Sequence, residues 1–239
     1  MTGSRRWLEI PADAGSNAEY PLKLPPGAPS QQRRMRDFRR VVVVTGTPGV
    51  GKSKFSKLLA KRIGAFHVNV GEVALTEGFT LGTDLRRRSK IADLDRILRW
   101  VRNLIDEVDR DLVVEGHYAP IVVPKRHVRL AIVLRCDPNQ LVKRLRMRRL
   151  ARSKVYENVA AEILDVCLVD AVRSYGRKKV CEIDTTGRTF SSILTEALNV
   201  VEGRYKPSLG KVDWLSKSEE RGQLEKLMSF KKSNLARRI

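Results

Sequence analysis

A parallel β-sheet covered by α-helices on both faces is the fold predicted for this chain, on three observations. Strand-like and helix-like segments alternate from residue 41 to about residue 203, as they do in successive βαβ units. The first strand reads Val41, Val42, Val43, Val44, a β-branched run suited to burial on both faces. It leads straight into Gly46-Thr47-Pro48-Gly49-Val50-Gly51-Lys52-Ser53, a complete G-x-x-x-x-G-K-[ST] phosphate loop opening a helix.

The elements follow in order. After the loop, Phe55, Leu58, Leu59 and Ile63 recur at helical spacing, and Gly64 supplies the stop. A second short strand is expected over 66–70. A long amphipathic helix is expected near 91–109, through Ile91, Leu94, Ile97, Val101, Leu104, Ile105 and Val108. The third strand, 112–114, ends in Glu115-Gly116-His117, and the fourth covers 129–135. Asp137 then caps a helix with Pro138 in its first turn. One helix is predicted over 155–175, stopping at Gly176, before a fifth strand over 179–184. Thr189 caps a last helix through Val201. Sheets of this kind bind ligands at the carboxyl ends of their strands.

Two extensions flank this core. Residues 1–40 hold five of the ten prolines and a basic stretch, Arg33, Arg34, Arg36, Arg39, Arg40, with little apolar periodicity, so a disordered leader is expected. Met35 stands just ahead of the first strand as an alternative start. Residues 204–239 carry ten basic and four acidic side chains and read as a basic extension with one docking point at Trp214 and Leu215. The net charge of +20, from 47 Lys and Arg against 27 Asp and Glu, points to work near RNA or ribosomal surfaces. A generally basic proteome would give the same balance. Cys136, Cys167 and Cys181 have neither C-x-x-C spacing nor an even count, so neither zinc nor a disulfide framework is suggested, and a reducing compartment is natural. No apolar run approaches the roughly 20 residues of a membrane span.

The phosphate loop dictates the chemistry. Gly49 and Gly51 let the backbone approach a polyphosphate and aim N–H groups at it, with the helix dipole behind them. Lys52 reaches the β and γ phosphates and the Ser53 hydroxyl ligates Mg²⁺, so ATP or GTP with magnesium is the expected ligand. Glu115, at the end of a buried strand, faces the magnesium shell in such a site; otherwise it is an ordinary strand-end carboxylate. His117, two residues on, can orient water or move a proton, or it is a structural turn residue. Between Lys143 and Lys154 lie seven basic residues, including Arg148. They read as a lid that closes over transferring phosphate, or as a solvated helix face. Asn69, Val70, Gly71 and Glu72 follow the second strand and would hold an acceptor, with Arg86, Arg87, Arg88 and Arg96 as contacts to its phosphate.

The ordered strings Gly46–Ser53, Val68-Asn69-Val70-Gly71-Glu72, Val113-Val114-Glu115-Gly116-His117, Leu134-Arg135-Cys136-Asp137 and Glu157-Asn158-Val159-Ala160-Ala161-Glu162-Ile163 resemble the atypical adenylate kinase family of archaea and eukaryotic nuclei, the isoenzyme-six type. The resemblance covers about 41–203. It implies a P-loop NTPase of nucleoside-monophosphate-kinase type, with a five-stranded parallel sheet, helices on both faces, a monophosphate-binding region over 69–92 and a lid over 147–157. It assigns nucleotide contacts to Gly49, Gly51, Lys52, Ser53, Lys54 and Arg148, acceptor contacts to Asn69, Val70, Gly71 and Glu72, magnesium to Ser53 and Glu115, and catalysis to Lys52, Glu115, His117 and Arg148. Lys54 stands where many relatives carry a hydroxyl residue. Val73-Ala74 stands where metabolic adenylate kinases have a gripping arginine, and none follows Tyr118-Ala119-Pro120, so broad monophosphate specificity is expected. By the same likeness the protein is a nucleoside monophosphate kinase and ATPase in late small-subunit maturation. Its implied partners are ATP, a nucleoside monophosphate, a small-subunit ribosomal platform protein of universal family eleven, and the pre-small-subunit rRNA particle. The implied location is cytoplasmic in an archaeon, which is favoured, and nuclear in a eukaryote. Two other readings use the same residues: an assembly factor whose nucleotide site is a binding switch, and a kinase of a non-nucleotide small molecule.

Overall fold

The computed structural model describes residues 9–11, 41–84 and 89–228. The rest of the expected leader, Arg86, Arg87, Arg88 and residues 229–239 lie outside the described residues.

Five parallel strands form the main sheet: β2 (Val41–Thr45), β3 (Phe66–Asn69), β6 (Leu112–Glu115), β7 (Val128–Arg135) and β8 (Val180–Asp184), in the spatial order β3-β6-β2-β7-β8. The alternation of side chains along β2 divides its valines between two cores. Val41 and Val43 join Val68, Val114, Ile97, Leu104 and Ala171 on one face; Val42 and Val44 join Phe55, Leu59, Ile132, Leu141 and Ile193 on the other. Helices α3 (Leu94–Glu107), α4 (Ala119–Val122) and α7 (Val166–Tyr175) cover the first face. Helices α1 (Lys52–Ile63), α5 (Pro138–Met147), α6 (Arg152–Ile163) and α8 (Phe190–Val201) cover the second. From β2 the chain crosses over β6 to reach edge strand β3, whereas β7 and β8 lie on the other side. That reversal opens a crevice at the carboxyl end of β2.

Several boundaries differ from expectation for physical reasons. The helix expected over 155–175 is two helices, α6 and α7, broken at Asp165, which adopts a left-handed conformation (φ 55°). Asn and Asp tolerate that region better than bulkier residues, and here the carboxylate also pairs with the buried Arg135. The long third helix begins only at Leu94, where Asp93 accepts from the Arg96 N–H at 3.0 Å; Ile91 belongs instead to a strand.

A small helix and a hairpin went unanticipated. Helix α2 (Val70–Thr76) follows β3 without a loop, and β4 (Thr80–Asp84) pairs antiparallel with β5 (Ser89–Ala92). The other edge of β5 takes up a three-residue strand β1 (Glu9–Pro11) from the N-terminal segment. At the C-terminal end, α9 (Trp214–Glu220) and α10 (Leu224–Met228) pack on the second core through Val212, Trp214 and Leu227. Trp214 docks as expected, while Leu215 is 43% exposed, since neighbouring helical positions point about 100° apart. Arg221 donates to Asp137 at 2.7 Å and Asn139 to Gln223 at 2.7 Å, tying this segment to the start of α5.

Candidate functional site

The loop Gly46–Ser53 leaves the centre of the sheet and is packed from behind. Gly46 has φ 138°, and a Cβ there would lie 2.4 Å from the Leu134 carbonyl oxygen, a contact no side chain tolerates. At Gly49, with φ 97°, a Cβ would come within 2.8 Å of Leu141 and Leu145. Gly49 therefore admits close packing on α5, besides any approach to a ligand. Arg144 and Thr185 donate to the Val50 carbonyl, each at 3.3 Å, and hold the loop from that side. Gly51 (φ 107°) opens α1, whose N-terminus has neither a side-chain cap nor an acidic residue in its first turn. Its first N–H groups and the positive end of its dipole are left for an anion.

Lys52 arches back over the loop, its ammonium donating to the Gly46 carbonyl at 2.7 Å and the Thr47 carbonyl at 3.1 Å. Burial lowers its pKa; Cys167, Glu115 and Glu162 pull it back up and Arg148 pushes it down. Arg148 is thus within electrostatic reach of the loop lysine. Ser53 and Lys54 are exposed on the first turn of α1, and the Lys54 ammonium stands 4.6 Å over the Phe190 ring.

Glu115 ends β6 in register with Val44 and is 1% exposed. Its Oε1 lies 3.2 Å from His67 Nε2 and accepts from Asn69 Nδ2 at 3.1 Å. Its Oε2 is buried with no hydrogen-bond partner, which leaves an acceptor directed to something outside the chain. His117 packs edge-on against Tyr118, centroids 4.4 Å apart. Burial, and secondarily the Lys52 charge, lower its pKa from 6.5 to about 3, so the imidazole is neutral and can accept a hydrogen bond.

Asn69 caps α2, its side-chain oxygen accepting from Gly71 N at 2.9 Å and Glu72 N at 3.2 Å, while its amide also donates to Glu72 at 3.3 Å. One residue thereby joins the start of α2 to Glu115. Val70 is wholly buried in the core, so only its backbone can serve a ligand. Arg148 is exposed and closes the C-terminal end of α5, and Arg149 turns the chain with φ 55° before α6. Arg96 is occupied elsewhere: it donates to Gly78 O at 3.3 Å and stacks on Phe79 at 4.6 Å.

Two site residues escaped the sequence reading. His67 supports Glu115, and Glu162 accepts from Thr47 of the loop at 2.5 Å. Glu162 lies beside Val155, Val159 and Ile163 on the buried stripe of α6, and a carboxylate bordering an apolar stripe is the signal that it has a buried partner.

The donor set suits magnesium. Among the described residues no group of three or more His, Cys, Asp or Glu gathers as a metal cage. Mg²⁺ needs none, since it keeps several waters and takes one or two protein oxygens plus substrate phosphates. The unpartnered Glu115 oxygen and the exposed Ser53 hydroxyl are oxygens that could serve in this way.

Loop, uncapped helix and strand-end carboxylate at a switch point define a phosphate-loop nucleotide-binding protein of the parallel α/β class. Residues 42–165 match the AAA domain family. The chain is 36% identical to a "Putative adenylate kinase" of Thermococcus kodakarensis over 174 residues, 73% of this chain and 92% of that one. It is 34% identical to the protein of the same name from Methanocaldococcus jannaschii over 176 residues, 74% and 93% of the two chains. A third relative so named, from Natronomonas pharaonis, is 36% identical over 173 residues, 72% and 96%. The chain belongs to this family. In fold it is similar to shikimate kinase from Acinetobacter baumannii, with a TM-score of 0.50 at 12% identity over 70% of this chain and 96% of that one. Among the described residues no helix is long and apolar enough to cross a membrane.

Proposed function

We propose that this protein transfers the γ-phosphoryl group of ATP to a nucleoside monophosphate, as an adenylate kinase with broad acceptor tolerance, and more slowly to water. The observation that carries the proposal is the buried, half-satisfied Glu115 beside a loop whose lysine already rests on its own carbonyls, in a chain whose relatives bear the name adenylate kinase. In the transfer, an oxygen of the acceptor phosphate attacks the γ phosphorus. The bond from that phosphorus to the β-γ bridging oxygen breaks, leaving ADP and a diphosphate of the acceptor.

Each residue has a part. Loop amides and Lys52 hold the donor phosphates, and Lys52 offsets charge on the bridging oxygen as it leaves. Ser53 and Glu115 would hold Mg²⁺, which when bound would supply further charge neutralisation on the phosphates. His67 and Asn69 orient Glu115, leaving its second oxygen free. Asn69, Gly71 and Glu72 present the acceptor side. Arg148 closes over the phosphates, and neutral His117 accepts a hydrogen bond from the attacking water and orients it in hydrolysis. The charge of +20 supports a second proposal, that the enzyme works on pre-small-subunit rRNA particles with the platform protein as its protein contact.

The test is a turnover panel with Mg²⁺ and ATP, comparing AMP, other nucleoside monophosphates and no acceptor. AMP should accelerate ADP formation well above the acceptor-free rate. Tight ATP binding with near-zero turnover on every acceptor would overturn the kinase reading in favour of a binding switch.

A further inference from the structure

Glu162 lies in the last turn of α6 and is 2% exposed, with both carboxylate oxygens engaged. Oε1 accepts from Arg135 Nε at 2.9 Å and from the Cys136 amide at 3.0 Å. Oε2 accepts from the Thr47 hydroxyl at 2.5 Å, and Thr47 is itself 1% exposed. Behind Glu162, Arg135 donates to Glu182 at 2.6 Å and to the Glu162 carbonyl at 3.0 Å, and also pairs with Asp165. The second oxygen of Glu182 accepts from the Lys211 amide at 2.9 Å. The chain of contacts thus runs from the C-terminal segment through β8, β7 and α6 to the second residue of the phosphate loop.

A buried ion cluster adds little net stability compared with apolar packing of the same volume. What it does supply is a fixed geometry, because each group is held by several partners at once. Two donors on Oε1 leave the Glu162 carboxylate no freedom to follow a moving loop, so Oε2 acts as a fixed post. Thr47 hangs on that post by its hydroxyl, and its carbonyl is one of the two on which the Lys52 ammonium rests. Glu162 also adds its charge to those acting on Lys52.

We infer that Glu162 is a positioning residue for the phosphate loop: through Thr47 it fixes the carbonyls that seat Lys52, and so couples the end of α6 to the place where phosphates bind. The inference rests on the reading of the loop as a polyphosphate site.

The test compares Thr47→Val, which keeps the shape and deletes the hydroxyl, with Thr47→Ser, which keeps it, alone and combined with Glu162→Gln. ATP affinity is read as a titration midpoint under conditions where each variant is fully folded by circular dichroism. Thr47→Val should weaken ATP binding and lower kcat by about tenfold each, while Thr47→Ser stays near the parent. In the Glu162→Gln background Thr47→Val should cost less than it does alone, because a neutral amide in place of the carboxylate already weakens the contact. Parental affinity and kcat in Thr47→Val, or losses that multiply in the double variant, would overturn the inference. If Glu162→Gln does not fold, the two Thr47 variants decide alone. If the parent protein binds no nucleotide, the proposed function fails, and hydrogen exchange at 46–53 decides this point: faster exchange in Thr47→Val supports it, and unchanged exchange overturns it.

Discussion

His117 shows how a single residue's surroundings set its chemistry. An imidazole in water titrates near 6.5, but burial and the neighbouring Lys52 charge hold this one down at about 3. The unfolded chain takes up a proton near 6.5 that the folded chain refuses until about 3. The stability contributed by this group is therefore complete above 6.5 and is lost as pH falls from 6.5 toward 3. NMR of the free protein should show a His117 ring that stays neutral between pH ~5 and ~8, and His117→Asn should flatten the stability slope in that acid range. A ring that protonates near 6.5 in the folded protein would contradict the buried environment. His117 and Glu115 were legible because both lie within two residues of a buried strand end, downstream of an unmistakable loop. His67 and Glu162 were not, because their partners are distant in sequence: His67 meets Glu115 only where β3 pairs with β6, and Glu162 meets Thr47 only where α6 lies against the loop.

Among elements, those with a continuous apolar run or a long amphipathic stripe could be read directly. Strands β2, β6 and β7 and helices α1, α3 and α8 are of this kind. Their spatial order could not be read, since β2 gives the same valine run whichever strand lies beside it. The break between α6 and α7 carries no Gly or Pro and depends on Asp165 reaching Arg135, a tertiary contact. The β4–β5 hairpin escaped because Thr80-Leu81-Gly82-Thr83-Asp84 has no buried alternation; Leu81 is 66% exposed. The C-terminal elements carry a prediction of their own. Trp214 and Leu227 are buried and Arg221 holds Asp137 at the cap of α5. Truncation after residue 211 should cost about 3 kcal/mol or more, from lost apolar burial and an opened core. Thermal unfolding that matches the full chain would show that α9 and α10 contribute nothing.

For the whole molecule, catalysis and charge separate. Residues 229–239 hold Lys231, Lys232, Arg237 and Arg238 and no part of the proposed site. Deleting them should leave ATP turnover unchanged and weaken binding to small-subunit particles at low salt, where each lost basic contact removes counterion release. Equal particle binding by the two forms at low salt would reject a role for this segment. The central claim is that Lys52, seated on the loop carbonyls, turns toward a bound nucleotide and offsets charge in phosphoryl transfer. Labelled γ-phosphoryl transfer from ATP to AMP by the parent and by Lys52→Ala tests it most directly. The variant should keep its circular dichroism, because Lys52 is half-buried and belongs to neither hydrophobic core. It should lose about a hundredfold or more in rate. Transfer by a folded Lys52→Ala protein at a rate near the parent's would contradict the account.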